Sequence, residues 1–265
     1  MKSRRAKSSA RREGQGKRIA LARALSKLGY CSRSEAFSLI REGRVRLNGT
    51  KPRNPETPAR PGIDRIEVDG KQARAAERVY LMLNKPRGMV TTAHDEKGRQ
   101  AIYSLLPNDR SWVAPVGRLD KASEGLLLLT NDSEWAARIT DPHSHLEKTY
   151  HVQVGTVAEA KLMESLERGV EVPSGERLKA KRAALVRSGE KNSWIEIVLD
   201  EGKNRQIRRM LDGFGVEVLR LVRVAIGPLQ LGGLAKGAFR SLRPEEKAAL
   251  DLAIANSSRP RSPVP

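Results

Sequence analysis

Arg118 and Asp120, a base and an acid two residues apart, stand out in the run Pro115-Val116-Gly117-Arg118-Leu119-Asp120-Lys121-Ala122-Ser123-Glu124-Gly125-Leu126-Leu127-Leu128-Leu129-Thr130-Asn131-Asp132. They lie in a polar corner, 117–125, between an apolar segment and four consecutive leucines. A run of four apolar residues bounded by Gly125 and Asn131 suits a short strand buried on both faces. The corner feeding it must come to the surface, because a buried loop leaves backbone groups unpaired. An acid and a base are therefore held at the rim of a core, and charged groups carried between rigid walls are a common way to build a site. Taken alone, an Asp beside Gly and Ser is more often a plain turn residue.

A second unusual stretch is Glu201-Gly202-Lys203-Asn204-Arg205-Gln206-Ile207-Arg208-Arg209-Met210. On a helix, Ile207, Met210, Leu211 and Phe214 form the buried stripe. Arg208 falls at the edge of that stripe, with Asn204 one turn above, while Arg205 and Arg209 face away from the core. Arg208 is thus the arginine placed to be half-buried, where it needs a carboxylate partner. An i,i+4 pair with Asp212 would also serve.

The elements that must position these residues alternate between strand and helix patterns. Strands are predicted at Tyr80–Asn84, Trp112–Val116, Lys148–Val154, Leu178–Val186, Trp194–Leu199 and Val216–Ile226. Lys148, Tyr150, Val152 and Val154 share one strand face. Helices are predicted near Ile102–Leu106 and at Ser133–Thr140, Val157–Glu167 and Pro244 to about Ala255, with a loop running into a helix over Glu201–Phe214. Lys85-Pro86-Arg87-Gly88 ends the first strand, since Pro86 cannot continue a ladder, and a polar loop spans Thr91–Gln100. The pattern argues an α+β fold with a mixed, largely antiparallel sheet. The glycines of dinucleotide and P-loop sites are absent.

The N-terminal quarter reads differently. Met1–Gly16 has almost no apolar residues, and its Lys and Arg are offset only by Glu13, so a disordered cationic tail is expected. A helix over Arg18–Leu28 stops at Gly29. Ser32-Arg33-Ser34-Glu35 is a capping box for a second helix reaching about Glu42. Arg44–Leu47 and Arg65–Val68 read as strands, with Asn48-Gly49 a hairpin turn and a Pro-rich excursion from Pro52 to Pro61 between them. The basic residues Arg18, Arg23, Lys27, Arg33, Arg41, Arg44 and Arg46 give this module a positive face suited to RNA phosphates. Helix, Gly, Ser-Arg, helix, Gly, Val and Asn-Gly, in that order over Ile19–Gly49, closely resemble the αL (S4-like) RNA-binding module. The expected organisation is a basic tail at 1–16, this module at 17–72, a linker at 73–78, a main domain at 79–256 and a polar tail at 257–265.

Composition points to the same partner class. Of 265 residues, 50 are Lys or Arg and 31 Asp or Glu, a formal net charge of +19. Such a field favours polyanions. The apolar runs are too short to span a bilayer, and Met1–Gly16 lacks the apolar core of a secretory signal, so a cytoplasmic protein with no membrane partner is expected. The lone Cys31 allows no intrachain disulfide, and His143, His145 and His151 lack metal-ligand spacing. No metal and no cofactor are expected, and a monomer is the default.

Gly117-Arg118-Leu119-Asp120, Ser123-Glu124-Gly125 with its leucines, Lys148-Thr149-Tyr150 and Asn204-Arg205-Gln206-Ile207-Arg208-Arg209-Met210 resemble, in order and spacing, the RsuA-like ribosomal RNA pseudouridine synthases. Lys85-Pro86-Arg87-Gly88 matches that family's first motif. The resemblance covers about residues 17–255. It implies isomerisation of a uridine to pseudouridine in ribosomal RNA or a ribosomal assembly intermediate, without cofactor, with a large-subunit target slightly favoured. It makes Asp120 the essential carboxylate, acting as a nucleophile or through electrostatics and proton removal at the sugar. By the same analogy Tyr150 stacks on a uracil flipped out of its helix, Arg118 fills the vacated space, Arg208 pairs with the catalytic carboxylate and Ile207 walls the pocket. Lys85 and Lys148 are expected to contact RNA or to be structural. The rival is a non-catalytic RNA-binding ribosome-assembly factor of the same fold.

Overall fold

The computed structural model describes residues 17–92, 100–107 and 112–257. Both expected tails (Ser257 apart) and most of the Thr91–Gln100 loop lie outside those residues. Backbone contacts divide the chain between Glu77 and Arg78.

The first unit opens with β1 (Ile19–Ala20) and α1 (Leu21–Lys27). The predicted helix therefore starts later than its apolar pattern, because Ile19 and Ala20 pair with β3 (Pro58–Ala59). Ser32 caps α2 (Arg33–Arg41) by accepting a bond from the Glu35 amide at 3.0 Å. β2 (Val45–Leu47), β4 (Ile66–Val68) and β5 (Lys71–Gln72) form an antiparallel sheet. Asn48 and Gly49 both take positive φ, as the predicted turn requires. Leu21, Leu25, Ile40, Val45 and Ile66 are buried in a core of this unit's own. The basic side chains Arg18, Arg23, Arg33, Arg41, Arg44 and Arg46 are exposed, and Lys27 is half-buried. Arg44 is committed within the unit: its Nε and Nη2 hold Asp69 at 2.9 and 2.6 Å.

The second unit contains β6 (Tyr80–Lys85), a 3-10 turn (Ile102–Leu105), β7 (Ala114–Pro115), β8 (Glu124–Thr130), α3 (Ser133–Thr140), β9 (Lys148–Val154), α4 (Ala160–Arg168), β10 (Val170–Glu171) and β11 (Arg177–Leu178). These are followed by β12 (Arg182–Ser188), β13 (Ser193–Leu199), α5 (Gln206–Asp212), β14 (Val218–Ile226), β15 (Leu229–Gln230), β16 (Phe239–Ser241) and α6 (Pro244–Ser257). The predicted strand Leu178–Val186 is in fact two, β11 and β12, which belong to different sheets. Apolar pattern alone could not show that the chain changes partner between them.

The main sheet runs β12-β13-β9-β14-β8-β6-β16, with β7 on β8 and β15 on β14. Its pairs are antiparallel except β8 with β14. The fold is thus α+β with a mixed, largely antiparallel sheet. All of β8 is buried, and Leu126 to Leu129 have no exposed surface. Helix α3, α6 and Trp135 cover one face, while Ile102, Val113 and Leu119 pack on the other. Truncating any of these leucines to Ala should cost about 2–5 kcal/mol. Gly125, at φ +101°, lies against the Arg223 backbone, so a Cβ there would collide with the Arg223 carbonyl. The entry to β8 is therefore fixed by a close strand approach that only glycine permits.

Candidate active site

The corner that precedes β8 is clamped through its backbone. The Thr91 hydroxyl donates to the Leu119 carbonyl at 2.7 Å. Lys85 Nζ donates to the carbonyls of Asp120 at 3.0 Å and Ser123 at 2.8 Å. The Gly88 amide donates to Lys121 at 2.7 Å, and Arg208 Nη2 to Ala122 at 3.2 Å. Every carbonyl from Leu119 to Ser123 thus accepts a bond. The donors come from the end of β6, the loop behind it and α5. With the backbone so held, the Asp120 side chain is left half-exposed, opening into a cleft.

Lys85 is the centre of this clamp. It is fully buried and also donates to the Pro86 carbonyl at 3.2 Å. Burial pushes its ammonium pKa down to about 8, against the opposing pull of Asp120 and Glu124. Below that pH the three ammonium hydrogens meet three carbonyls. Of the two roles expected for Lys85, RNA contact or structure, its burial and its three carbonyl partners favour the structural one. As pH rises through about 8 the folded protein loses this proton while an unfolded chain, near 10.5, keeps it. Below pH 8 both states hold the proton and the burial cost is present in full. Between pH 8 and 10.5 the group's contribution to stability becomes more favourable with pH, but the loop loses a donor. The single-turnover rate on prebound RNA should accordingly decline with an apparent pKa near 8. A rate that stays flat to pH 10 would show that the clamp does not need the charge.

The cleft, about 610 Å³, is lined by Arg118, Leu119, Asp120, Lys148, Tyr150, Arg205, Ile207, Leu221 and Arg223, among others. Tyr150 stands half-buried on β9, and Ile207 is 3% exposed on α5. Arg118 is exposed at the rim. Four of the expected residues, Arg118, Asp120, Tyr150 and Ile207, thus line one cavity.

Arg208 does not ion-pair with Asp120, which corrects the expected contact. Its guanidinium is half-buried, as its place at the edge of the α5 stripe requires, but it bonds the Ala122 carbonyl and, at 3.4 Å, that of Val218. Its Nε is buried without a partner. The alternative pair with Asp212 is not formed either. Burial and the nearby Arg205 pull the Arg208 pKa down, and Asp120 opposes them. The carboxylate's own ion pair is with Arg205, whose Nη1 lies 3.7 Å from Asp120 Oδ2. Arg205 reaches it from a left-handed backbone position, φ 49°, at the start of α5. Helical spacing aimed Arg205 outward because it assumed a helix already under way at that residue.

The buried acid at the end of the corner also has partners that the sequence reading did not assign. Glu124, 2% exposed, is held by Arg220 at 3.1 Å to each oxygen and by Lys236 at 2.6 Å. Burial pushes its pKa up, but the bonds from Arg220 and Lys236 outweigh that and leave it lowered. Its cations come from β14 and the loop before β16, distances along the chain that no local pattern reports.

A loop carboxylate, a flat aromatic ring and cations at the rim of one cleft make a site for an anionic substrate carrying a planar base, and so an enzyme acting on nucleic acid. Residues 79–212 match the family model described as RNA pseudouridylate synthase, and residues 21–62 match the S4 domain. The chain belongs to the RNA pseudouridylate synthase family, and it is a pseudouridine synthase with an N-terminal S4 domain. It is 38% identical over 227 residues to ribosomal large subunit pseudouridine synthase B of Bacillus subtilis (strain 168), covering 85% of this chain and 93% of that relative. An RNA pseudouridine synthase of Aquifex aeolicus (strain VF5) is 39% identical over 238 residues, covering 89% and 95%. A solved pseudouridylate synthase crystal structure superposes with a TM-score of 0.63 at 29% identity, covering 88% of this chain and 99% of that one. Among the described residues no helix is long and apolar enough to cross a membrane.

Proposed function

We propose that this protein converts one uridine of structured ribosomal RNA, in the large subunit, to pseudouridine, working in the cytoplasm as a monomer. The observation that carries this reading is the clamped loop, which fixes the Asp120 backbone and leaves its carboxylate open to the cleft containing Tyr150. The reaction breaks the bond from the sugar to N1, turns the uracil in place and joins its C5 to the same carbon. Asp120 promotes the cleavage by attacking the sugar carbon or by removing the neighbouring C2′ proton. The base must leave its stack to reach the carboxylate, and Tyr150 offers it a ring to lie on. Arg118, exposed beside the cleft, occupies the gap left in the RNA. Arg208 holds the Asp120 loop through the Ala122 carbonyl, and Ile207 supplies an apolar wall.

The test is pseudouridine mapping of total ribosomal RNA by carbodiimide adducts and primer extension, with and without this protein. One uridine should lose its signal and regain it on complementation with the wild-type chain. An unchanged map would remove ribosomal RNA as the substrate. Within the site, Tyr150→Phe should convert RNA within about threefold of wild type, because stacking needs the ring and not the hydroxyl. Tyr150→Ala should lose roughly ten- to a hundredfold, the 1–3 kcal/mol of one stacked base. Equal losses in both variants, read by tritium release from labelled uridine, would place the role in the hydroxyl.

A further inference from the structure

Two cations of the cleft, Lys148 and Arg223, hold neither Asp120 nor its loop. Arg223 on β14 is the direct cross-strand partner of Tyr150 on β9, so their side chains leave the same face of the sheet. It is 6% exposed. Its Nε donates to the Leu126 carbonyl at 2.7 Å, which sets the plane of the guanidinium. Its Nη2 is buried with no hydrogen-bond partner. Lys148 lines the same cleft, and burial followed by the nearby charge of Arg223 draws its pKa down, with Asp200 opposing. Among the described residues, no carboxylate ion-pairs with either. A buried guanidinium left this way is costly, and the imbalance points to a ligand that brings the missing acceptor.

We infer that Arg223, with Lys148 beside it, binds a carbonyl oxygen of the flipped uracil and stabilises the negative charge the base carries once its glycosidic bond is broken. The inference rests on uridine being the substrate. Phosphates are the weaker match, because exposed Arg118 and Arg205 already serve the rim, whereas Arg223 is buried beside the ring on which the base stacks. The chemistry supplies the need. When C1′–N1 breaks, the electron pair stays with N1 and spreads onto O2 and O4. Asp120 either forms the bond to C1′ as N1 leaves, or takes the C2′ proton and later returns it. C5 then attacks C1′, displacing the carboxylate or adding to the unsaturated sugar. C5 loses its proton and N1 gains one, so the product is an isomer and no oxidant or reductant is needed. Donors aimed at the oxygens that carry the transient charge act where they matter most.

The test is single-turnover conversion of a ribosomal RNA fragment carrying uridine, 2-thiouridine or 4-thiouridine at the target, by wild type, Arg223→Gln and Lys148→Met. Arg223→Gln should slow the uridine reaction about a hundredfold or more, the usual scale for one such donor. Its RNA affinity should stay within about twofold, as one cation among many warrants. One of the two sulfur substitutions should slow wild type and have no further effect on Arg223→Gln, which would identify the oxygen bound. Lys148→Met should show a smaller loss on the same substrates. If Arg223→Gln does not fold, Arg223→Lys is read instead, with the same loss of the sulfur effect expected. Sulfur effects of equal size in wild type and variant, or a variant rate within threefold of wild type, would overturn the contact. Wild type that converts no uridine at all would overturn the substrate reading instead, so the two failures are distinct.

Discussion

Asp120→Asn should abolish pseudouridine formation, lowering the single-turnover rate by about four orders of magnitude or more, the scale on which cooperative catalytic sets fail when one member is lost. RNA affinity should barely move, because one neutral isostere hardly alters a chain of net charge +19. Thermal stability should also stay near wild type. The loop is fixed through its carbonyls by Lys85, Gly88, Thr91 and Arg208, and none of those bonds uses the Asp120 side chain. The side chain's own ion pair, with Arg205 at 3.7 Å, is half-exposed and contributes little. Tritium release from labelled uridine, filter binding and a melting curve on the same preparation separate these three quantities. Conversion at the wild-type rate would remove Asp120 from the chemistry. A large fall in melting temperature would mean that the side chain, and not its backbone, anchors the corner.

How much of this was legible before the structure depends on how far each interaction reaches along the chain. The leucine strand, the Ser32 cap, the Asn48-Gly49 turn and the alternation of Lys148–Val154 are local, and each forms as its pattern requires. Asp120, Arg118, Tyr150 and Ile207 could be singled out by motif resemblance, and the structure brings them to one cleft. What local patterns could not yield is partner choice. Lys85 looks like any lysine at a strand end until the loop thirty-five residues on wraps its ammonium. The same holds for Glu124 with Arg220 and Lys236, whose partners lie on distant strands. Arg208 was correctly placed at the edge of a buried stripe, but its bonds go to carbonyls, because the carboxylate beside it is already turned toward Arg205. Periodicity reports which face a residue occupies, and the hydrogen-bond account of a neighbouring loop decides what it touches.

Replacing Arg18, Arg23, Arg33 and Arg46 together by Gln should weaken RNA binding and flatten its dependence on salt. These four are exposed on the S4 domain and make no ion pair among the described residues. Arg44 is left intact because its bonds to Asp69 hold the unit together. If each of the four neutralises one phosphate, the slope of log affinity against log salt should fall by about 3. Between 50 and 200 mM salt, wild type would then lose about sixtyfold more affinity than the variant. The core beneath them, Leu21, Leu25, Ile40 and Ile66, is untouched, so the melting curve should not shift. At saturating protein the rate of the chemical step should match wild type, since phosphate contacts position the RNA and the cleft residues act on the base. An unchanged salt slope would mean that the S4 domain recognises its RNA through other groups. A slower chemical step at saturation would mean that the two units act together in placing the target uridine over Asp120.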